Sequence, residues 1–296
     1  YEILSGLVGS EMCIRDSQSA LLRYRVGTSH GNIAVAEIGK GETTVMFIHG
    51  NSSCAKVFEH QLLGPLSRSC RLVAFDLPGH GDSDDAIDPY RTYTRPGFAA
   101  AAIELSRLIS VSNPIVVGWS LGGHIAIEMM ATLQNLRGVM VCGSPPIGPG
   151  QAARGFTSAA HAGLGRKRFL SASERADFAR GMAGEPTPSF LLDAIARCDG
   201  RSREILFKAR DAGAGIDQRR MVESSGIPLA VVNGADDPFV NIDFFDEVAY
   251  ANLWEARCHR LRGVGHAPFW SGPDLFAPFL ERFVRDVQTS ASVVRP

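Results

Sequence analysis

A serine with a glycine two residues away on either side lies at the point where an apolar strand is predicted to end and a helix to begin. The pentapeptide Gly118-Trp119-Ser120-Leu121-Gly122 follows the apolar run Ile115–Val117 and precedes the helical run His124–Leu133. A pentapeptide of this form is common, but its position between strand and helix predicts a sharp, strained turn that exposes the serine. The glycines permit the close backbone approach that such a turn demands. Because ligands of open α/β sheets bind at the carboxyl ends of the strands, we expect Ser120 to lie in a ligand site.

From about Tyr24 the chain alternates short apolar runs with amphipathic helical stretches, which is the pattern of βαβ units. Several runs are continuous and rich in β-branched residues, as expected of strands that are covered on both faces. The sequence therefore predicts an α/β fold with a mostly parallel sheet. The expected strands are Ile33–Ile38, Val45–Ile48, Arg71–Phe75, Ile115–Val117, Val139–Cys142, Leu229–Val232 and approximately Cys258–Leu261.

The alternation stops after the Val139–Cys142 strand, and residues 145–226 contain no convincing strand. Ser173 is the expected N-cap of the first helix there, because acidic residues follow it. We interpret 145–226 as a helical cap over the strand ends, with an ordinary helical layer as the alternative, and residues 18–144 and 227–296 as the core. The helices expected in the cap are Ser173–Met182, Ser189–Arg197 and Arg203–Ala209.

The first seventeen residues, Tyr1 to Ser17, match no motif or periodic element that connects them to the rest of the chain. They lack a starting Met and also the basic start, apolar centre and cleavage site of a secretory signal. We expect residues 1–17 to be non-native or disordered, with a frayed native terminus as the alternative.

Composition and charge exclude several classes of partner. A net charge of −1 gives no electrostatic reason to expect nucleic acid or an anionic membrane. No apolar run approaches the roughly 18 residues that span a bilayer. The six cysteines are scattered singly, and the eight histidines form no H-E-x-x-H motif. We expect a cytoplasmic protein that uses no cofactor and no metal, and the sequence leaves the oligomeric state open.

A serine hydroxyl is a weak nucleophile unless a base accepts its proton, so a histidine must lie beside it. His266 comes directly after the last predicted strand, in Gly263-Val264-Gly265-His266. The other histidines lie in tight turns, open a helix or lack a position at a strand end. His266 is therefore the expected base.

The base in turn needs an acid that holds its tautomer, and this acid should follow another strand. The strand Leu229–Val232 runs into Asn233-Gly234-Ala235-Asp236-Asp237-Pro238, which offers two carboxylates. We favour Asp237, immediately before the proline, over Asp236. An oxyanion hole also requires two backbone N–H donors, and the expected ones are Leu121 and Asn51, whose side chain can also reach substrate.

With these residues in place, the chain resembles the α/β-hydrolase superfamily from about Tyr24 to Asp286. The resemblance implies an eight-stranded, mostly parallel sheet with helices on both faces and a helical cap inserted after the sixth strand. The matching blocks are Phe47–Ser53, Phe75–Asp84, Val116–His124, Asn233–Val240 and Gly263–Trp270.

Within the superfamily the chain is similar to the metal-independent N-acyl-homoserine lactonases, which open the lactone ring of bacterial quorum-sensing signals. Blocks outside the catalytic motifs carry this likeness, at Asp85–Pro89, Arg197–Arg201 and Asn252–Glu255. The resemblance implies that Asp237 stands where the family can have glutamate. It also implies that Phe178 stands where a substrate-facing tyrosine is expected.

The expected reaction is attack of Ser120 on an ester or lactone carbonyl, with His266 as general base and an acyl-enzyme as intermediate. The favoured substrate is an N-acyl-homoserine lactone. A general carboxylesterase, or a slow-turnover ligand receptor of the same fold, are the alternatives. The residues expected to line an apolar acyl pocket, with plain core packing as the alternative, are Trp119, Phe178, Phe239 and Trp270.

Overall fold

Eight strands form one sheet in the computed structural model, which describes residues 20–133, 135–158 and 160–293. The expectation for residues 1–17 lies outside the described residues. The strands are β1 (Leu22–Thr28), β2 (Gly31–Ile38), β3 (Thr44–Ile48), β4 (Arg71–Phe75), β5 (Ile115–Trp119), β6 (Gly138–Cys142), β7 (Leu229–Gly234) and β8 (His259–Leu261).

The strand order is β1-β2-β4-β3-β5-β6-β7-β8. The first two strands pair antiparallel with each other, β2 pairs antiparallel with β4, and every later pairing is parallel. In register, Ile48 lies opposite Gly118, and Gly118 lies opposite Val141. The loops that follow β3, β5 and β6 therefore leave the sheet side by side. The prediction of a mostly parallel α/β sheet is confirmed.

The central strands are buried along their whole length, which explains why their sequences are continuous apolar runs. Every residue of β3, β5, β6 and β7 is buried. The edge strand Leu22–Thr28 was not among the strands expected from the sequence. It is exposed or half-buried throughout and carries two arginines and a tyrosine, so it lacks the apolar signal of its neighbours.

Helices cover the sheet and fill most of the connections. Short 3-10 helices lie at Ala55–Phe58, Pro65–Arg68, Ala160–Arg166, Ile242–Glu247 and Trp254–Ala256. The α-helices are α1 (Glu59–Leu62), α2 (Pro89–Thr92), α3 (Arg95–Leu108), α4 (Leu121–Thr132), α5 (Ala152–Gly155), α6 (Ala172–Ala183), α7 (Ser189–Arg197), α8 (Gly200–Asp211), α9 (Gln218–Ser224), α10 (Pro268–Ser271) and α11 (Pro273–Val293).

Residues 145–226, hereafter the helical segment, carry α5 to α9 between β6 and β7. The N-cap of α6 is Ser171, and the expectation that Ser173 caps this helix is wrong. The Ser171 hydroxyl accepts a hydrogen bond from the Glu174 amide at 3.2 Å, and the Glu174 carboxylate accepts one from the Ser171 amide at 2.8 Å. This reciprocal capping box requires a serine three residues before a glutamate, a spacing that only Ser171 has.

Within the described ranges, no helix combines the length and the apolar character that a membrane crossing requires.

Candidate active site

Ser120 occupies a strained turn between β5 and α4. Its backbone has φ 54° and ψ −116°, a conformation that non-glycine residues rarely adopt. The two flanking glycines are required by space, because a Cβ on Gly118 would lie 2.3 Å from the Gly122 carbonyl oxygen. A Cβ on Gly122 would lie 1.9 Å from the Ile48 carbonyl oxygen. The Ser120 amide donates to the Cys142 carbonyl at 2.8 Å, which ties the turn to the end of β6.

His266 lies in the loop after β8 and is almost fully buried, with 4% of its side chain exposed. Its Nδ1 lies 2.6 Å from Oδ2 of Asp237. The Trp119 indole N–H donates to the His266 carbonyl at 2.8 Å, and the Phe239 ring packs 4.7 Å from the imidazole. The bond at Nδ1 fixes that nitrogen as the donor, which leaves Nε2 as the basic nitrogen.

Asp237 is the carboxylate that contacts the imidazole, and Asp236 is exposed. The Oδ1 atom of Asp237 accepts hydrogen bonds from the amides of Phe239 at 2.8 Å and Val240 at 3.3 Å. Both carboxylate oxygens are thus engaged, one by the main chain and the other by His266. The geometry favours Asp237 over its neighbour, because the turn after β7 directs only Asp237 inward.

A buried histidine, His49, holds the loop after β3 in place through contacts at both of its ring nitrogens. His49 Nδ1 lies 2.7 Å from the Gly50 carbonyl oxygen, and its Nε2 accepts a hydrogen bond from the Leu77 amide at 2.9 Å. Burial, together with the neighbouring His80, lowers the pKa of His49 to about 3. This imidazole is therefore neutral, and it holds the loop that carries Asn51 beside Ser120.

The Asn51 side chain forms a hydrogen bond to the helical segment. Its Nδ2 donates to the Gly165 carbonyl at 2.9 Å, and its Oδ1 accepts from the Ser52 hydroxyl at 3.1 Å. The buried Arg203 donates to that hydroxyl at 3.1 Å and to the Lys167 carbonyl at 2.6 Å. The role of Asn51 as an oxyanion donor stays a prediction, and no local sequence pattern indicates Arg203 as the residue that joins this loop to α8.

A second set of contacts joins the helical segment to the core. Arg197 Nη1 lies 3.0 Å from Asp85 Oδ1, and Arg201 Nη2 lies 3.6 Å from the other oxygen of that carboxylate. The Tyr93 hydroxyl donates to Asp199 at 2.7 Å. The sequence blocks at 85–89 and 197–201, far apart in the chain, therefore meet in the fold.

A cavity of about 990 Å³ opens at this edge of the sheet, and Ser120, Leu121, His266 and Asn51 all line it. Phe178 and Phe239 also line it, with ring centroids 6.2 Å apart in an edge-on arrangement. The structure thus brings the predicted nucleophile, base and oxyanion residues to one cavity with two of the four predicted aromatic residues.

The other two aromatic residues, Trp119 and Trp270, are not among the residues that line this cavity. Trp119 is 1% exposed and packs behind the imidazole. Trp270 packs against His60 and Phe190, with ring centroids 4.9 and 5.0 Å away. For these two tryptophans the packing favours the alternative of plain core over a place in the acyl pocket.

His124 lines the cavity, although the sequence suggested only that it opens a helix. Its Nδ1 lies 2.7 Å from the Gln218 side-chain oxygen, and Gln218 Nε2 donates to the His124 carbonyl at 2.9 Å. Burial, followed by the positive charge of Arg95, lowers the pKa of His124 to about 3. A buried neutral imidazole thus links α4 to α9 of the helical segment.

In the part of the chain that the structure describes, no group of three or more His, Cys, Asp or Glu side chains is placed to hold a metal ion. The five cysteines in that part are free: Cys54, Cys70, Cys142, Cys198 and Cys258.

A mostly parallel sheet with a strained serine turn and a cavity at its carboxyl edge is the arrangement found in α/β hydrolases. The sequence profile of the α/β-hydrolase family matches residues 45–279, and the chain belongs to this family.

The N-acyl homoserine lactonase AidH, solved in complex with N-butanoyl homoserine, is 43% identical to this chain. It has a TM-score of 0.88 over 90% of this chain and 97% of that chain. A serine-to-glycine mutant of AidH with N-hexanoyl homoserine lactone is 42% identical and has a TM-score of 0.89, over 91% and 99% of the two chains. The pimeloyl-[acyl-carrier protein] methyl ester esterase of Xanthomonas campestris pv. campestris is 29% identical over 265 residues, which cover 83% of this chain and 96% of that protein.

Proposed function

We propose that this chain is a serine hydrolase that opens the ring of N-acyl homoserine lactones through an acyl-enzyme. The observation that carries the serine mechanism is the buried contact of 2.6 Å between His266 Nδ1 and Asp237, in a cavity that Ser120 also lines. A carboxylate at Nδ1 orients the imidazole and stabilises its protonated form, as the reaction requires. The strained backbone of Ser120 is typical of an exposed nucleophile.

In the proposed reaction, Ser120 Oγ attacks the lactone carbonyl while its proton moves to His266 Nε2. The bond between the carbonyl carbon and the ring oxygen then breaks, and His266 returns the proton to that oxygen. The alcohol that leaves stays tethered to the acyl group. Water next attacks the acyl-enzyme, His266 accepts its proton, and the proton passes to Ser120 Oγ as the carboxylic acid departs.

The negative charge that develops on the carbonyl oxygen needs preorganised donors. The proposed donors are the backbone amides of Asn51 and Leu121. Leu121 is the first residue of α4, where helix amides lack intrahelical partners and the helix dipole favours negative charge. The His49 brace and the link from Asn51 to Gly165 support a fixed position for the second amide.

We also propose that the helical segment acts as a cap that selects substrates. It contributes Phe178, Met182, Leu206 and Phe207 to the cavity wall opposite the strand ends. Apolar walls with a few polar groups suit a ligand with an acyl chain. The lactone is favoured as substrate by the 43% identity to AidH across nearly the whole of both chains.

A general carboxylesterase is the second candidate. The volume of about 990 Å³ lies near the upper end of ligand pockets, so the cavity can hold substrates of several shapes. The 29% identity to an ester-cleaving enzyme of Xanthomonas campestris also favours this reading.

A kinetic comparison of cyclic and open-chain substrates separates the two candidates. We would measure kcat/KM for butanoyl, hexanoyl and dodecanoyl homoserine lactones beside ethyl esters of the corresponding N-acyl glycines, which keep the amide and the acyl chain but lack the ring. A lactonase turns over the lactones faster than the matched esters. Equal or faster cleavage of the open-chain esters would support the carboxylesterase instead, and turnover of neither would contradict both.

A further inference from the structure

The cavity is lined by positive charge without a matching carboxylate on its surface. Among the lining residues that the structure describes, four are arginines and none is aspartate or glutamate. Their acidic partners, Glu128, Asp211 and Glu247, are not among these lining residues. The arginines are Arg95, Arg154, Arg166 and Arg210.

Two of these arginines lie in the interior rather than at the mouth. The side chains of Arg95 and Arg210 are 11% and 20% exposed, whereas those of Arg154 and Arg166 are 58% and 46% exposed. The inner pair therefore faces a partly desolvated space, where charge interactions are stronger than in bulk water.

The inner pair and Arg166 together have more positive charge than their ion-pair partners offset. Arg166 and Arg210 both pair with Asp211, and Arg95 lies 3.6 Å from Glu128. Three guanidinium groups thus share two carboxylates. Burial and the charge of Arg210 lower the pKa of Arg95, while Glu128 acts in the opposite direction.

Arg95 also has hydrogen-bonding capacity that the protein leaves unused. Its Nη2 donates to the Ala214 carbonyl at 2.9 Å, but its Nε is buried without a hydrogen-bond partner. This Nε lies 3.6 Å from Glu128 Oε1, beyond hydrogen-bond distance, so it points toward the protein and not into the cavity. The cavity itself is lined by guanidinium groups with no carboxylate among its described lining residues, which suits a ligand that supplies an acceptor. A carboxylate matches a guanidinium best, because its two oxygens accept two parallel N–H bonds.

The carboxylate partner of Arg95 lies about the length of an acyl chain from Ser120 along α4. Glu128, the partner of Arg95, follows Ser120 by eight residues along α4, which corresponds to about 12 Å at a rise of about 1.5 Å per residue. Leu206 and Phe207 supply apolar surface close to Arg210. An extended acyl chain, with carbon–carbon bonds of about 1.5 Å, spans this distance with roughly eight to ten carbons.

We propose that Arg95 and Arg210 form an anion subsite that binds a carboxylate at the far end of a substrate's acyl chain. The chemical class of substrate is then a monoester of a dicarboxylic acid with a chain of medium length. This inference rests on Ser120 acting as the nucleophile of an ester hydrolase, but it does not depend on the lactone as substrate.

The test compares two esters that differ only in the terminal group. We would measure kcat/KM for the mono-4-nitrophenyl ester of suberic acid and for 4-nitrophenyl octanoate, which have the same chain length and leaving group. The wild-type protein is expected to prefer the carboxylate ester by about tenfold, since only the carboxylate can accept charge-assisted hydrogen bonds from the two arginines. In Arg210→Gln this preference falls to about one, and Arg210→Lys keeps part of it.

Arg107→Gln is the matched control, because Arg107 is exposed and lies on the same helix as Arg95. This variant should keep the wild-type preference. Calorimetric binding to Ser120→Ala protein provides a readout without turnover, with monomethyl suberate expected to bind about tenfold more tightly than methyl octanoate.

Each outcome tests either the proposed anion subsite or the proposed hydrolase function. Cleavage of both esters without a preference for the carboxylate would overturn the anion subsite and leave the hydrolase intact. Absence of ester cleavage, with the carboxylate still bound selectively, would overturn the hydrolase and support the subsite. A preference that survives in Arg210→Gln would also contradict the proposed subsite.

Discussion

The two walls of the cavity are built on different principles. On the core wall, functional groups stand on short loops at the strand ends, and the main chain holds them: the Asp237 carboxylate accepts two backbone amides, and the Ser120 amide bonds to the end of β6. On the wall formed by the helical segment, Phe178 and Leu206 face the cavity from helices, and ion pairs near the surface hold its arginines. The core wall is therefore suited to fixed chemistry, and the helical wall is suited to selecting what reaches it.

This contrast predicts where substitutions act. Changes on the core wall should lower kcat because they disturb groups that act in the transition state. Changes on the helical wall should alter the selectivity among substrates. This wall is expected to contact the acyl chain equally in the ground state and in the transition state, so a substitution there changes binding and not the chemical step.

The largest effect is expected for Ser120→Ala. Loss of the nucleophile should lower kcat by on the order of 10⁶-fold, as for triad residues that act as a unit. The unfolding temperature should stay close to that of the wild type, since the substitution removes one oxygen atom and keeps the hydrogen bond from the Ser120 amide to the Cys142 carbonyl. Kinetics with the preferred substrate and thermal unfolding together test this prediction. Retention of most of the rate would show that the nucleophile lies elsewhere.

Asp237→Asn and Asp236→Asn form a matched pair on one turn. Asp237→Asn should lower kcat by about 10⁴-fold, because an amide favours the wrong imidazole tautomer. The neighbouring Asp236→Asn should change kcat only a few-fold, since Asp236 is exposed. Steady-state kinetics of the two variants measure the difference. Equal losses would mean that the turn rearranges when substrate binds.

A smaller effect is expected on stability when the pH is lowered, through protonation of His124, the neutral histidine between the two walls. The pKa of His124 is lowered in the folded protein to about 3, whereas an unfolded histidine has a pKa of about 6.5. The unfolded chain therefore binds more protons between these values, and the folded state loses stability as the pH falls below about 6.5. Between pH 7 and pH 5, His124 should cost about 2 kcal/mol of unfolding free energy.

Denaturant unfolding at these two pH values compares wild type with His124→Gln. The decrease in unfolding free energy should be smaller by about 2 kcal/mol in the variant, which has no imidazole to protonate. Glutamine can still hydrogen-bond Gln218, so the comparison isolates the titration. Identical decreases in both proteins would mean that His124 is not held neutral in the fold.

The smallest effect is expected on the helical wall, for Phe178→Tyr. An added hydroxyl offers substrate one polar contact, worth about 0.5–1.5 kcal/mol, at a position that is now apolar. We expect kcat/KM for N-acyl homoserine lactones to change a few-fold, while kcat/KM for short simple esters stays constant. Ratios measured on both substrate classes test this. A fall in kcat with every substrate would place Phe178 in the chemistry instead of in selection.

The sequence predicts the core wall well because each functional residue follows an apolar strand within a few positions. Ser120, His266 and Asn51 could all be placed in this way, and the structure brings them to one cavity. Position before the proline favours Asp237 over Asp236, but spacing alone leaves both open, since adjacent residues on a turn point in different directions. The burial of Asp237 against His266 supports the same choice, and burial is a property of the assembled fold.

The helical wall is harder to predict, because residues there act through tertiary contacts that leave no local pattern. Arg203 has the sequence context of an ordinary helix residue, yet it is buried and bonds to Ser52. The same holds for two residues of the core. Trp119 and Trp270 are large and close to the predicted motifs, but Trp119 packs against His266 and Trp270 against His60 and Phe190. Proximity in sequence to a motif therefore does not by itself place a side chain in the cavity wall.

The link from Asn51 to Gly165, with Arg203 behind it, has a consequence for protein engineering. A segment transplanted from a relative into this scaffold would have to supply a carbonyl at the position of Gly165 and a guanidinium at the position of Arg203. A graft without them would leave the Asn51 side chain and Ser52 without these partners next to Ser120. Chimeras designed to change specificity would then lose rate as well, so the junction should be drawn to include both partners of each bond.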